Sequence, residues 1–184
     1  MQMSRGRVLA AGVGVALVLV IGMLAYAMTR GVGATPSGRR DVGGRQMAPF
    51  SLARFDGTPF VLNQPAPGPV FVYFWASWCV PCQAEAPVIQ KLWPEYEKRG
   101  YTFVGVNIWD AESDARRFID QQGLTFPVVA DANGRVYVDY GVEALPDSYF
   151  LEPGLRARIR YQGALTEPTL RELLDELARR GGAS

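Results

Sequence analysis

Apolar residues fall in three patterns along this chain, and each predicts a different element. From Val8 to Met28 there is no charged residue, and Val, Leu, Ala and Gly follow one another without a polar face. About 20 apolar residues span the hydrocarbon core of a bilayer, so this stretch reads as a membrane anchor. Ala25-Tyr26-Ala27 offers the small-x-small site of a cleaved signal peptide, but the apolar run exceeds the roughly 7–15 residues usual for one. Residues 1–29 are therefore read as an anchor or signal segment. Arg5 and Arg7 favour an N-terminus on the inside; Arg30, Arg39, Arg40 and Arg45 count the other way, although long domains translocate largely regardless of such charges. The Gly- and Arg-rich residues 30–46 read as a flexible tether. That leaves 47–184 as one folded domain.

The second pattern is strand-like. Phe50 and Leu52, then Asp56-Gly57, then Phe60 and Leu62 alternate about a turn signal, which predicts a β-hairpin over 48–63. The proline-rich loop 64–69 cannot continue it. Val70 to Trp75 is apolar at every position, as in a strand buried on both faces, and Tyr101 to Ile108 is a second core strand. Phe126 to Ala130 is a short strand. An Asn133-Gly134 turn leads to Val136-Tyr137-Val138. Ser148 to Leu151, a Pro153-Gly154 turn and Ala157 to Tyr161 then form a hairpin, with the last segment at the edge of the sheet.

The third pattern has the helical period. Val88, Ile89, Leu92, Trp93 and Tyr96 make one face of a helix beginning near Val80 and ending at Gly100, with Pro87 and Pro94 interrupting it and a kink expected at Pro87. Asp110 is positioned to cap a helix with Ala115, Phe118 and Ile119 inward. Thr166 caps a last helix with Leu170, Leu173, Leu174 and Leu177 inward. Strands alternating with helices predict an α/β domain with a mixed central sheet flanked by helices and an N-terminal hairpin.

Composition narrows the chemistry. The 184 residues carry a net charge of +1, so nothing in the balance suggests nucleic acid. No histidine is present, which removes Ser-His-Asp and Cys-His catalysis and imidazole metal sites. The two cysteines, Cys79 and Cys82, are spaced C-x-x-C where the buried strand gives way to the helix. Zinc and iron–sulfur sites need about four ligands, and covalent haem attachment needs a histidine where Gln83 stands. A purely structural disulfide over so short a loop would constrain the unfolded chain little. A cysteine at a helix N-terminus meets unpaired N–H groups and the positive end of the helix dipole, both of which favour the thiolate that attacks disulfides. The pattern therefore points to thiol–disulfide exchange.

The order strand, W-C-x-x-C, proline-bearing helix, strand, helix, strand, X-Pro, hairpin, helix resembles the thioredoxin fold. More narrowly, the chain resembles the membrane-tethered TlpA/ResA/CcmG branch over about residues 46–180. The matching pieces run from Phe74 through Trp78-Cys79-Val80-Pro81-Cys82 to Pro87, then Val104-Gly105-Val106-Asn107, Phe126 to Asp131, and Leu145-Pro146. The resemblance implies that Cys79 is the exposed nucleophile, Cys82 the buried resolving thiol and Pro146 a cis-proline facing them. It implies a substrate groove of Trp78, Val80, Pro81 and Leu145, with the Leu145 backbone pairing with the substrate chain. Glu85 lies three residues after Cys82 on the same helix face, and the branch has an acid there, so it is a candidate acceptor for the proton Cys82 must lose. Two positions depart from the pattern. Tyr73 stands where thioredoxin has a buried aspartate. Asp147-Ser148 follow Pro146, and an aspartate beside the groove would disfavour acidic partner segments and raise the thiol pKa.

The implied activity is that of an extracytoplasmic, membrane-anchored thiol–disulfide oxidoreductase needing no cofactor beyond its own dithiol. Its expected partners are disulfide-containing proteins, such as apocytochrome c or copper-site assembly proteins, a membrane thiol electron donor, and the cell membrane itself through residues 8–28. Three alternatives use the same residues. A dithiol oxidant or isomerase would run the electrons the other way. A thiol peroxidase would carry Pro and Thr or Ser at fixed spacings before its cysteine, where this chain has Val72 and Ala76. A metallochaperone would hold copper(I) between the two thiolates.

Overall fold

The computed structural model describes residues 5–29, 38–64 and 66–181, in two compact units comprising 1–36 and 37–184. The first unit is one helix, α1 (Arg5–Thr29). Its side chains are described from Gly12 to Tyr26 and are exposed; Leu17, Val18, Leu19, Val20 and Ile21 in succession leave it no polar face. Among the described residues no helix is long and apolar enough to cross a membrane.

The second unit is built on a six-stranded sheet of β1 (Gly38–Gln46), β4 (Val70–Trp75), β5 (Thr102–Asn107), β6 (Val128–Ala130), β7 (Asp147–Glu152) and β8 (Arg156–Gln162), in the order β1-β8-β7-β4-β5-β6. β4, β5 and β6 are parallel, and β7, β8 and β1 add antiparallel neighbours on the other side. β2 (Phe50–Ala53) and β3 (Pro59–Leu62) form the expected hairpin as a separate two-stranded sheet. The helices are α2 (Val80–Glu97), α3 (Glu112–Gln122), α4 (Arg135–Tyr140) and α5 (Glu167–Gly181).

β4 sends alternate side chains into two cores. Phe71, Tyr73 and Trp75 pack under α2, α3 and α5 with Ile89, Leu92, Tyr96, Phe118 and the leucines of α5. Val70, Val72 and Phe74 pack on the other face with Phe50, Phe60 and Leu62 of the hairpin and Val136 and Tyr140 of α4. Every β4 side chain is buried, and each large one contributes roughly 1.5–3 kcal/mol of transfer free energy. That double burial fixes the strand at whose end the dithiol sits.

Three expectations are revised. Gly38–Gln46, read as part of a flexible tether, is strand β1 on the outside of β8, so Ala157 to Tyr161 is not at the sheet edge. An edge strand buries few side chains, so its sequence need not alternate; here it is interrupted by a bulge between Asp41 and Arg45, with Gly43 and Gly44 at φ +67° and +78°. The rest of the expected tether, 30–37, lies outside the described residues. Val136-Tyr137-Val138 belongs to the short helix α4, which buries Val136 and Tyr140, four apart, and exposes Val138. Finally, α3 begins at Glu112 behind Ala111 with no side-chain cap, so Asp110 serves elsewhere. α2 runs through both Pro87 and Pro94.

Candidate functional site

The dithiol stands where β4 ends. Cys79 is the N-cap of α2, with extended backbone (φ −81°, ψ 102°) and Pro81 in the first turn, where a missing N–H is harmless. Cys79 Sγ accepts the backbone N–H of Cys82 at 3.3 Å, and the Cys79 carbonyl accepts those of Cys82 and Gln83 at 3.0 and 3.2 Å. The two sulfurs are joined in a disulfide, S–S 2.05 Å. Cys82 is wholly buried, while Cys79 keeps a small exposed surface and is flanked by the exposed side chains of Trp78 and Val80.

The Leu145–Pro146 peptide is cis. β7 pairs with β4 so that its first residue, Asp147, lies opposite Phe74, and Pro146 immediately precedes that pair, as Trp75 immediately follows it on β4. The Pro146 carbonyl is tied to Gly163 N at 2.9 Å. Leu145 is half-buried and packs against both cores.

Glu85 is buried on α2, and neither of its carboxyl oxygens has a hydrogen-bond partner. Burial pushes its carboxyl well above the usual carboxylate range, opposed only by the nearby Leu165 backbone. Tyr73 donates its hydroxyl to the Cys82 carbonyl at 3.3 Å. Burial raises the Tyr73 hydroxyl, and the charge of Glu85 adds to the effect. A phenol and a carboxyl, both with raised proton affinity, thus share the core on the helix that carries the second cysteine.

Asp147 is not a groove charge. It is fully buried, and Arg160 clasps it with three contacts, Nε to Oδ1 and Oδ2 at 3.1 and 3.0 Å and Nη2 to Oδ2 at 2.6 Å. Burial outweighs the arginine and lifts its carboxyl to about 6. The expected repulsion of acidic partners from this position is withdrawn, because the charge faces β8 and is neutralised there.

Asp110 holds the active-site turn. Its carboxylate accepts Ser77 N at 2.6 Å, Ser77 Oγ at 2.7 Å and Asn107 Nδ2 at 2.9 Å. Beside it, Trp78 Nε1 donates to the Trp109 carbonyl at 3.0 Å, and Gln83 Nε2 to the Ser77 carbonyl at 3.0 Å. The turn before Cys79 is thereby bound to the end of β5. An aspartate just after a core strand looks like a helix cap in sequence, and nothing local distinguishes the two uses. Among the described residues, no group of three or more acidic or cysteine side chains is arranged to hold a metal ion.

The sequence profile of the AhpC/TSA family matches residues 43–161. The chain is 40% identical over 109 residues to the thiol-disulfide oxidoreductase ResA of Oceanobacillus iheyensis, 59% of this chain and 57% of the length of that relative. It is 32% identical to ResA of Halalkalibacterium halodurans over 72% of this chain and 75% of that one. Among solved structures it is similar to MTB dsbF, determined in mixed oxidized and reduced forms, with a TM-score of 0.64 and 29% identity over 70% of this chain and 94% of that one. The fold held in common is the thioredoxin-like α/β fold.

Proposed function

Since the chain belongs to the AhpC/TSA family and, within it, to the thiol–disulfide oxidoreductases of the ResA type, we propose that it reduces disulfides in partner proteins outside the cytoplasmic membrane, anchored there by residues 8–28. The observation that carries this reading is the asymmetry of the two sulfurs. Cys79 sits at a helix N-terminus with an N–H aimed at its sulfur, and Cys82 is sealed behind it.

In the reduced protein the Cys79 thiolate attacks one sulfur of a partner disulfide. A bond forms between Cys79 Sγ and that sulfur, the partner S–S bond breaks, and the other partner sulfur leaves as a thiolate that takes a proton from solvent. The Cys82 thiol must then lose its proton, and Glu85 in its ionised form, one turn further along α2, takes it; burial raises the proton affinity of that carboxylate, and the proton later returns to solvent. Cys82 attacks Cys79 Sγ, the Cys79–Cys82 disulfide closes, and the partner leaves with both cysteines reduced. Two electrons have moved from the protein to the partner. A membrane dithiol donor returns them by the same exchange in reverse, since a domain outside the cytoplasm has no direct access to cytosolic reductant. Cysteine pairs of apocytochrome c or of copper-site assembly proteins are the partner class this direction fits.

The test is the reduction potential of the Cys79–Cys82 pair, measured by equilibrating the protein with defined thiol buffers and following the fluorescence of Trp75 and Trp78. A value at or below about −230 mV is expected. A value of about −120 to −180 mV would reverse the electron flow and overturn the reading in favour of an oxidant or isomerase.

A further inference from the structure

We propose that Trp109 is a specificity-determining residue for disulfide exchange: with Trp78 and Val80 it forms a platform beside Cys79 that takes an uncharged, apolar stretch of the partner polypeptide next to the cysteine under attack. This rests on the exchange reading above and names the kind of partner segment that reading leaves open.

Among the described residues of the second unit few large apolar side chains are left in water, and two of them, Trp78 and Val80, flank Cys79 in the chain while a third, Trp109, is tied to Trp78. Trp78, Trp109 and Val80 are 56%, 61% and 73% exposed. Trp78 directly precedes the attacking cysteine, and its indole N–H is held by the Trp109 carbonyl at 3.0 Å, so the two tryptophan residues are linked. The backbone of Trp109 has φ +49°, a left-handed conformation that a bulky residue adopts only under strain. Such a conformation persists only where neighbours impose it, and here they do. Asp110, the next residue, is fixed by Ser77 and Asn107, and the Trp109 ring rests on Tyr137 of α4 with centroids 4.5 Å apart. The fold therefore spends backbone strain to hold an indole ring outward, where it contributes little to the core.

The surroundings select the occupant. On α3, Arg116 is paired with Glu112 at 2.6 Å, and on α4, Arg135 with Asp139 at 3.8 Å, so the charges on both flanks are matched within their own helices. The Asp110 carboxylate is taken up by its three donors. The charges of α3 and α4 are thus spent within those helices, and Arg54 across the same hollow lies over the Phe60 ring at 5.5 Å, whereas Trp78 and Val80 on either side of the reacting cysteine, with Trp109 tied to Trp78, offer apolar area. Tryptophan is also the side chain that most often carries binding energy at such a surface.

The experiment uses the reduced full chain in detergent and three substrates: hydroxyethyl disulfide, a synthetic peptide disulfide flanked by Leu and Val, and the same peptide flanked by Ser. The unmodified protein is expected to prefer the Leu/Val peptide in kcat/KM. Trp109→Ala lowers kcat/KM for that peptide about tenfold more than for the Ser peptide or hydroxyethyl disulfide, mainly through KM, and Trp109→Phe restores most of the loss. Val61→Ser, which removes an exposed apolar side chain from β3, leaves the preference as it was. The proposal is overturned if the preference survives Trp109→Ala, or if that variant slows all three substrates alike. It is also overturned if the unmodified protein is a dimer that Trp109→Ala disperses, since the platform would then be covered by a second copy. Failure of the unmodified protein to reduce any of the three would instead defeat the exchange reading itself.

Discussion

Replacing Arg160 by Met tests whether the residue after the cis-proline is held by a buried ion pair. Asp147 is fully buried and Arg160 nearly so, and their three contacts lie between 2.6 and 3.1 Å. Methionine fills much of the arginine stem and leaves Asp147 without its main counter-charge. Removing one member of a buried pair costs about 3–5 kcal/mol. The size of the loss depends on pH in a direction the structure fixes. The Asp147 carboxyl rises from 3.8 to about 6 on folding, so its contribution to stability is present at acid pH and is lost as pH rises through about 6, a loss of roughly 3 kcal/mol. Without Arg160 the folded value moves higher still, and the loss extends to higher pH. At pH 8 the variant should therefore be less stable than the unmodified protein by about 3–5 kcal/mol, and at pH 5, with Asp147 largely protonated in both, by about 1–2 kcal/mol. Urea unfolding at the two pH values, followed by tryptophan fluorescence, measures both. An equal penalty at pH 5 and pH 8 would refute the reasoning, because packing and not charge would then carry it. A penalty below about 1 kcal/mol at pH 8 would mean that water screens the pair.

Glu85→Gln removes a carboxyl whose folded pKa is raised by burial, so its stabilising contribution fades as pH rises; the variant should gain stability relative to the unmodified protein as pH rises toward 8 and should lose part of the pH dependence of unfolding. It should also slow release of product from the mixed disulfide roughly 100-fold by stopped-flow, and unchanged release would remove Glu85 from the mechanism. Asp110→Ala frees Ser77 N, Ser77 Oγ and Asn107 Nδ2 together and should cost about 2–3 kcal/mol, with faster amide exchange at Ser77; an unchanged melting curve would show that the clamp is not needed.

What the sequence determined by itself is the part whose cause is local. Val70 to Trp75 had to be an interior strand because no position in it tolerates water. Cys79 had to stand at a helix N-terminus because the helical period begins immediately after it, and the leucines of α5 declare one face whatever they pack against. The dithiol chemistry followed from two cysteines at that junction in a chain without histidine.

What only the tertiary structure decided depends on partners far away in the chain. Asp110 reads as a cap until Ser77, 33 positions earlier, is brought to its carboxylate. Asp147 reads as a groove charge until the β7–β8 pairing delivers Arg160, 13 positions later. Gly38–Gln46 reads as tether because an edge strand is held by main-chain bonds to β8 and asks little of its side chains. Val136 to Val138 suit either a strand or a helix, and the space beside Phe74 and Phe50 settles them as helix. Local periodicity reports which side of an element faces the core; which charge meets which, and which aromatic ring is left in water, is set by contacts that exist only once the sheet has formed.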